Sequence, residues 1–253
     1  MKTPILIRMA GCILTIGCAG SLALAEDAPV TNKWVSSVGA GLTLTSGNSD
    51  TLLATAVAAT GIKWSKNEFG AGVDGAYGQS KVPPATTNTV NNEMIHGFLQ
   101  YNRVITDGLY AYGRFEGRSD HVADLQYRLT LSPGAGYYII NNTNTDLSLE
   151  AGPGYLWQQQ AGVYSEYWTL RFAQRYHQVL SDRARLRESI EYLPKADEFN
   201  NYIVNALVGL EADITKDKKL ALTTYVTDVY NSRPAPGKKN ADVTWVTGIV
   251  YKF

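Results

Sequence analysis

The sequence predicts an all-β chain: a transmembrane antiparallel up-and-down β-barrel of about twelve strands. Three observations carry this reading. Apolar and polar side chains alternate with a period of two in one segment after another; no apolar window of about eighteen residues occurs beyond the amino-terminal leader; and the last ten residues, TWVTGIVYKF, stay aromatic and apolar on one face to Phe253. A period of two marks a strand, because successive side chains point to opposite sides of the pleat. A bilayer offers backbone groups no hydrogen-bond partner, so a chain that crosses it without long apolar helices must close its sheet.

The first thirty residues read as a secretory leader. Lys2 and Arg8 precede an apolar run from Met9 to Leu24, and Ala23-Leu24-Ala25 forms a small-x-small cleavage site before Glu26 and Asp27. The expectation is a cleaved signal peptide over 1–25 and one barrel domain over 26–253. A retained membrane helix would be longer and poorer in glycine, and an acylated Cys18 would need a better box than LTIGC. Removing 25 of 253 residues leaves 228, with Lys2 and Arg8 lost, so 21 basic side chains face 23 acidic ones. That balance lacks the basic footprint of a nucleic-acid binder. Cys12 and Cys18 depart with the leader, leaving no thiol for disulfides, soft metals or nucleophilic chemistry. No cofactor is implied.

Twelve alternating segments follow, near 33–45, 51–64, 68–80, 93–105, 109–119, 124–140, 145–158, 164–179, 184–194, 201–214, 219–231 and 242–253. An even number suits a single-chain bacterial barrel. Their connections alternate too. SKNE, TDG, NNTN, LSDRA and TKDKK are short and are assigned to the periplasmic side. KVPPATTNTVNN, QQQAGVYS, PKADEFNN and NSRPAPGKKNAD are longer and assigned to the exterior, with SGNSD and SDHVA as short external members. In the seventh segment Leu147, Leu149, Ala151, Tyr155 and Trp157 share one face, with Asp146, Ser148, Glu150, Gly152 and Gly154 on the other. The tenth sets Tyr202, Val204, Ala206, Val208, Leu210, Ala212 and Ile214 against Asn205, Gly209, Glu211 and Asp213. A soluble sandwich would show the same alternation, so the aromatics decide. Trp34, Trp64, Phe69, Tyr137 and Phe253 fall at periplasmic strand ends, and Tyr77, Trp157, Trp168, Tyr192, Tyr202 and Trp245 near external ends, as two interfacial girdles require.

The terminal strand, with Tyr251 two positions before Phe253, resembles the signal that the outer-membrane barrel-assembly machinery reads. That machinery, periplasmic chaperones and outer-membrane lipids are therefore the expected partners. The stretch GLTLTSGNSDTLLATAVAATGIKWSKN adds a closer resemblance, carried by Thr45, Ser46, Gly47, Asn48, Ser49, Asp50 and Thr51, with SPGAGYYI and AGPGYLW as weaker echoes. It is similar to the YdiY-like family of salt-induced outer-membrane proteins, a domain of unknown function. The resemblance implies a barrel in the Gram-negative outer membrane over nearly the whole exported chain and supplies no catalytic residues. The Gly-Asn-Ser-Asp turn itself reads as a hairpin connector, since Gly, Asn and Asp tolerate positive φ.

Strand parity directs Asp74, Arg114, Glu116, Arg128, Glu150, Arg171, Arg175, His177, Arg185, Arg187, Glu191, Glu211 and Asp213 to the lumen. Both signs are present, so these side chains form either a self-neutralising wall network, as buried charges need partners, or a charged track for small solutes. An outer-membrane lipid-modifying enzyme is the competing class. It would need a nucleophile beside a histidine, whereas His96 and His177 point inward, His121 sits in an external connection, and neither G-x-S-x-G nor H-E-x-x-H occurs. Pro133 and Pro153 interrupt the sixth and seventh strands. Pairing Asn141 with Asn144 would make them diagonal neighbours, beside inward Gly134, Gly136, Gly152 and Gly154 that leave room for a long Arg or Tyr. The functional expectation is a small-solute channel or envelope-stress barrel, porin-like in build, with a filled structural barrel as the alternative.

Overall fold

The computed structural model describes residues 32–45, 50–81 and 87–253, without the side chains of residues 45 and 50. The leader over 1–25, the 46–49 connector and residues 82–86 of the proline-containing loop lie outside the described residues.

Twelve strands run in chain order: β1 Val35–Thr45, β2 Asp50–Trp64, β3 Asn67–Lys81, β4 Thr89–Val104, β5 Leu109–Asp120, β6 Leu125–Asn141, β7 Thr145–Gln160, β8 Val163–Ser181, β9 Ala184–Lys195, β10 Glu198–Asp213, β11 Leu220–Asn231 and β12 Ala241–Lys252. Each pairs antiparallel with its sequence neighbours and β12 returns to β1, closing an up-and-down barrel. The bounds lie within a few residues of the alternating segments because alternation and burial coincide. In β12, Trp245, Ile249 and Tyr251 are exposed, whereas Thr244, Val246 and Val250 are buried. A single-layer wall can bury side chains only on its concave face. The exposed set is therefore the outer surface, and Trp34, Tyr137, Trp168, Trp245 and Phe253 stand out from it.

Two external connections are shorter than their composition suggests. QQQAGVYS is strand almost to its tip: Gln158, Gln159 and Gln160 pair with Ser165, Tyr164 and Val163, and Gln158 Nε2 donates to Ser165 Oγ at 3.2 Å. Only Ala161 and Gly162 turn, with φ of 51° and 74°, the positive values a two-residue hairpin needs. PKADEFNN likewise folds as a two-residue turn, with Lys195 paired to Glu198 and a bulge before Tyr202. A polar run hides its strand character from a hydrophobic-period reading, because cross-strand amide bonds rather than apolar contacts supply its pairing.

The two prolines also sit differently. Asn141 pairs with Asp146, and a bulge at Ile139 shifts the register. Pairs Ala135↔Ala151 and Leu131↔Tyr155 bracket the interruption, which puts Pro133 and Pro153 directly across from each other. Two residues that lack an N–H thus share one break in the ladder. The inward glycines beside it are covered by neighbouring strands rather than by a distant wall: Gly134 and Gly136 by β5, Gly152 by the β6 backbone, and Gly154 by Ser132 of β6 and Thr169 of β8. A Cβ on Gly136 would strike the Tyr110 ring, and one on Gly134 would lie 2.6 Å from the Tyr112 hydroxyl.

Gly136→Val should therefore cost about 1–3 kcal/mol of overpacking, read as a lower urea midpoint for the heat-modifiable band. Gly70→Ala, whose added carbon meets nothing within 4 Å, should leave that midpoint where it is.

Candidate functional site: the ionic lumen

Inward positions of β3 to β9 carry polar side chains at the middle of the barrel, and the curvature of the wall brings them together. One chain of hydrogen bonds and ion-pair contacts runs from β3 to β9. Asp74 Oδ1 meets His96 Nδ1 at 2.8 Å, and His96 Nε2 meets Glu116 Oε1 at 3.0 Å. Arg114 holds the other Glu116 oxygen at 2.7 Å and donates to Gln100 Oε1 at 3.1 Å. Gln100 Nε2 then donates to Glu150 Oε1 at 2.9 Å. Arg171 closes the chain, with Nη1 on Glu150 Oε2 at 2.6 Å and Nε on Glu191 Oε1 at 3.2 Å.

Glu150 is the junction. Besides Gln100 and Arg171 it accepts from the Tyr110 hydroxyl at 3.0 Å and from Arg175 Nη2 at 3.2 Å. Its donors come from β4, β5 and β8, and Arg175 also reaches Gln100 on β4 at 2.5 Å, which crosses the lumen from one wall to another. Glu150 is 4 % exposed and Arg171 1 %. Aromatic faces complete the setting: the Arg114 guanidinium lies 4.6 Å from the Phe98 ring centre and that of Arg171 5.2 Å from Tyr112, contacts that favour a partly dehydrated cation. Between Arg114, Arg171, Arg175, Glu191 and Asn205 a cavity of about 30 Å³ remains, room for roughly one water.

A second network ties the end of the barrel that holds the short turns. Arg185 donates to Glu211 at 2.8 Å and to Asp213 at 2.6 and 3.1 Å. Lys252 reaches Glu211 and lies 3.2 Å from Asp213, joining β12 to β10 across β11. Arg187 stands 4.0 Å from Glu211. At the same end Glu68 accepts from Asn102 at 3.0 Å and from Tyr138 at 2.8 Å. Arg128 lies toward the opposite mouth and bonds Gln158 at 2.9 Å. His177 is buried and paired in register with Asp146 and Arg187.

That opposite mouth is partly covered. The β11–β12 connection folds back so that Ala235 is buried, the Arg233 carbonyl accepts from Gln160 at 3.3 Å, and Arg233 pairs with Glu198 at 3.1 Å. A cleft of about 240 Å³ remains between Asn91, Asp120 and Ala123 on one side and Gly237, Lys238, Lys239 and Asp242 on the other.

The sequence reading singled out charged residues and so passed over Gln100, Tyr110 and Tyr138, which bridge them. Parity could have found all three, since Gln100 shares a face with His96, and Tyr110 with Arg114. Lys252 stood on the polar face of the last segment without being counted among the lumen charges.

A family model described as a protein of unknown function, DUF481, matches residues 38–253. No curated protein matches the chain. Among solved structures, the NanC porin superposes with a TM-score of 0.51 at 12% identity, over 87% of this chain and 100% of that one. The translocator domain of the autotransporter NalP from Neisseria meningitidis gives 0.46 at 16% identity, over 90% and 91%. The KdgM porin gives 0.45 at 9%, over 87% and 99%. At such identities the likeness to the NanC porin is one of fold.

Glu150→Gln would leave Arg171 and Arg175 facing a neutral group in a dry centre. Breaking a buried pair from one side costs about 3–5 kcal/mol, so the urea midpoint should fall further than for Glu191→Gln, which removes one contact at the edge of the network.

Proposed function

This chain belongs to the DUF481 family, to which the YdiY-like resemblance also points, and we propose that it is an outer-membrane pore for small polar solutes, held shut at mid-height by the Glu150 network. One observation carries this reading: polar groups meet across the lumen between strands that are not neighbours, as Arg175 of β8 donates to the Gln100 amide of β4, which in turn donates to Glu150 of β7. A barrel that needed only filling would be at least as stable with apolar side chains there, since buried ion pairs seldom outweigh their desolvation. An ionic centre can instead exchange its partners for water and ions when it opens. The cleft at the covered mouth, with Lys238, Lys239, Asp120 and Asp242 in its lining, supplies a polar entrance.

The leader over 1–25 supports export, the two aromatic belts support residence in the outer membrane, and the salt-induced relatives suggest a role in envelope stress. Assembly would draw on the barrel-assembly machinery through Tyr251 and Phe253, aided by periplasmic chaperones. We read the chain as non-enzymatic, because the His96 ring is occupied by two carboxylates and not by the hydroxyl that a nucleophilic pair requires. A permanently filled barrel is the second reading, favoured by the single-water cavity beside Arg171.

Planar-bilayer recording separates the two. A gated pore should show infrequent small currents in the wild type and longer openings in Glu150→Gln and Arg175→Gln. Silence in all three would establish the filled barrel. Neutralising Arg171 and Arg175 together should also reduce any anion preference, an effect that salt screens over about 8–10 Å at common ionic strengths.

Assembly is checked separately. Phe253→Ala should lower the amount of heat-modifiable protein in the membrane while export of the chain continues, and equal folded levels would remove the terminal aromatic from any role in recognition.

A further inference from the structure

On one sector of the outer wall, polar side chains stand where a bilayer calls for apolar ones. Luminal contacts fix the parity of the two strands concerned. In β8, Arg171 and Arg175 both reach Glu150 inside the barrel, so the alternate positions Phe172, Gln174 and Tyr176 point outward. In β9, Arg185 holds Glu211 and Glu191 meets Arg171, so Leu186, Glu188 and Ile190 point outward. Phe172 and Ile190 are accordingly exposed. Gln174 and Glu188 thus leave the wall on its lipid side.

Both lie deep. Glu188 is five residues past Arg183 of the short β8–β9 turn, and Gln174 eight residues before Asp182 of the same turn. With the usual rise per residue and a strand tilt of about 40°, that places them about 13 and 20 Å from the turn along the barrel axis. The apolar band of such a barrel is about 25 Å tall, so both sit within the hydrocarbon span. Neither side chain has a hydrogen-bond or ionic partner among the described residues. Hydrocarbon offers none, and a carboxyl group held at that depth needs a donor.

The face carries that donor itself. Glu188 pairs in register with Tyr176, and Gln174 with Ile190, so the two polar side chains are diagonal neighbours on adjacent strands, about 7–8 Å apart. That is too far to bond within one barrel. A twofold axis along the membrane normal, passing between them, sets Gln174 of each copy opposite Glu188 of the other. Amide donor then meets carboxylate acceptor twice, the self-complementarity that a symmetric dimer requires. Leu149, Ile190 and Val208 surround the pair and are exposed, which gives it an apolar border. Ala206, in register with Ile190, is small enough for a second wall to come close.

We propose that the outer face of β8 and β9 is an intramembrane dimer interface, in which the Gln174 amide of one copy donates to the Glu188 carboxylate of the other. A second copy fits better than a lipid headgroup, which does not descend to this depth. It also fits better than a partner bringing a buried cation, because the face already holds acceptor and donor side by side. The interface is independent of whether the lumen conducts, since both side chains lie outside the wall.

The test uses membranes from cells that express the full chain with Cys12→Ser and Cys18→Ser. Ile190→Cys, beside the axis, should cross-link to its own copy through a short bismaleimide, whereas Leu99→Cys on the outer face of β4 should not. Gln174→Glu sets carboxylates against each other and should lower the cross-linked fraction about tenfold or more, the weight of the charge-assisted bonds lost. Adding Glu188→Gln exchanges acid and amide and should restore the dimer, with heat-modifiability the same throughout. Asp228→Asn, outward on β11 between buried Thr227 and Val229, should change nothing. The proposal is overturned by absence of an Ile190→Cys dimer, by equal cross-linking from Leu99→Cys, or by a dimer indifferent to Gln174→Glu. Failure of the exchange to rescue a folded barrel would overturn it too, as would capture of a different envelope protein at Ile190→Cys in place of a second copy.

Discussion

A chain that lies in lipid must satisfy every backbone N–H and C=O from within itself, and the architecture of this protein descends from that constraint. Alternating strands can meet it only by closing on themselves, so β12 must return to β1. Closure creates two surfaces of opposite character. Outward positions face hydrocarbon and are apolar or aromatic; inward positions face a narrow space that side chains must share. Among the described residues the β1–β12 ladder is the shortest of the twelve, running from Ser37↔Lys252 to Ala40↔Ile249.

Curvature turns a list of inward residues into a network. Gln100 and Glu150 are fifty positions apart and three strands apart around the wall, yet bond at 2.9 Å, because chords across a small barrel are short. The same geometry explains why Glu150 can gather donors from β4, β5 and β8, and why Lys252 can clasp β12 to β10 over β11. These bonds tie non-adjacent strands, which the backbone ladder cannot do. Breaking them therefore loosens the cross-section of the barrel while leaving each hairpin intact.

The shared proline break shows how such a wall tolerates disorder in its ladder. Pro133 and Pro153 face each other across one interruption bracketed by Ala135↔Ala151 and Leu131↔Tyr155. Gly134 and Gly136 supply the room that Tyr112 and Tyr110 fill from β5, and Gly152 lets the Pro133 and Gly134 backbone come close. Two separate breaks would each have left backbone carbonyls without donors; a common one confines the loss to a single place, packed over by aromatic rings.

Strand number, order and facing were legible in the sequence, because a period of two is local and each side chain reports its own face. The barrel class was legible too, since an apolar outer face and aromatic belts answer to the solvent and not to any particular partner. Where polar runs replaced apolar ones, as in Gln158–Gln160, the local signal failed and strand was read as loop. Register was decided by the tertiary structure: the turn pairs Asn141 with Asp146 instead of Asn144, two residues on, and the bulge at Ile139 takes one residue back, so Pro133 stands opposite Pro153 instead of diagonal to it. The partners of each inward charge were decided there as well. Alternation puts Glu150 and Arg175 on inner faces of their strands, but nothing in the order of residues tells that both bond Gln100 of β4. Local periodicity reports which way a side chain points; only the closed wall, through its radius and shear, determines what it meets.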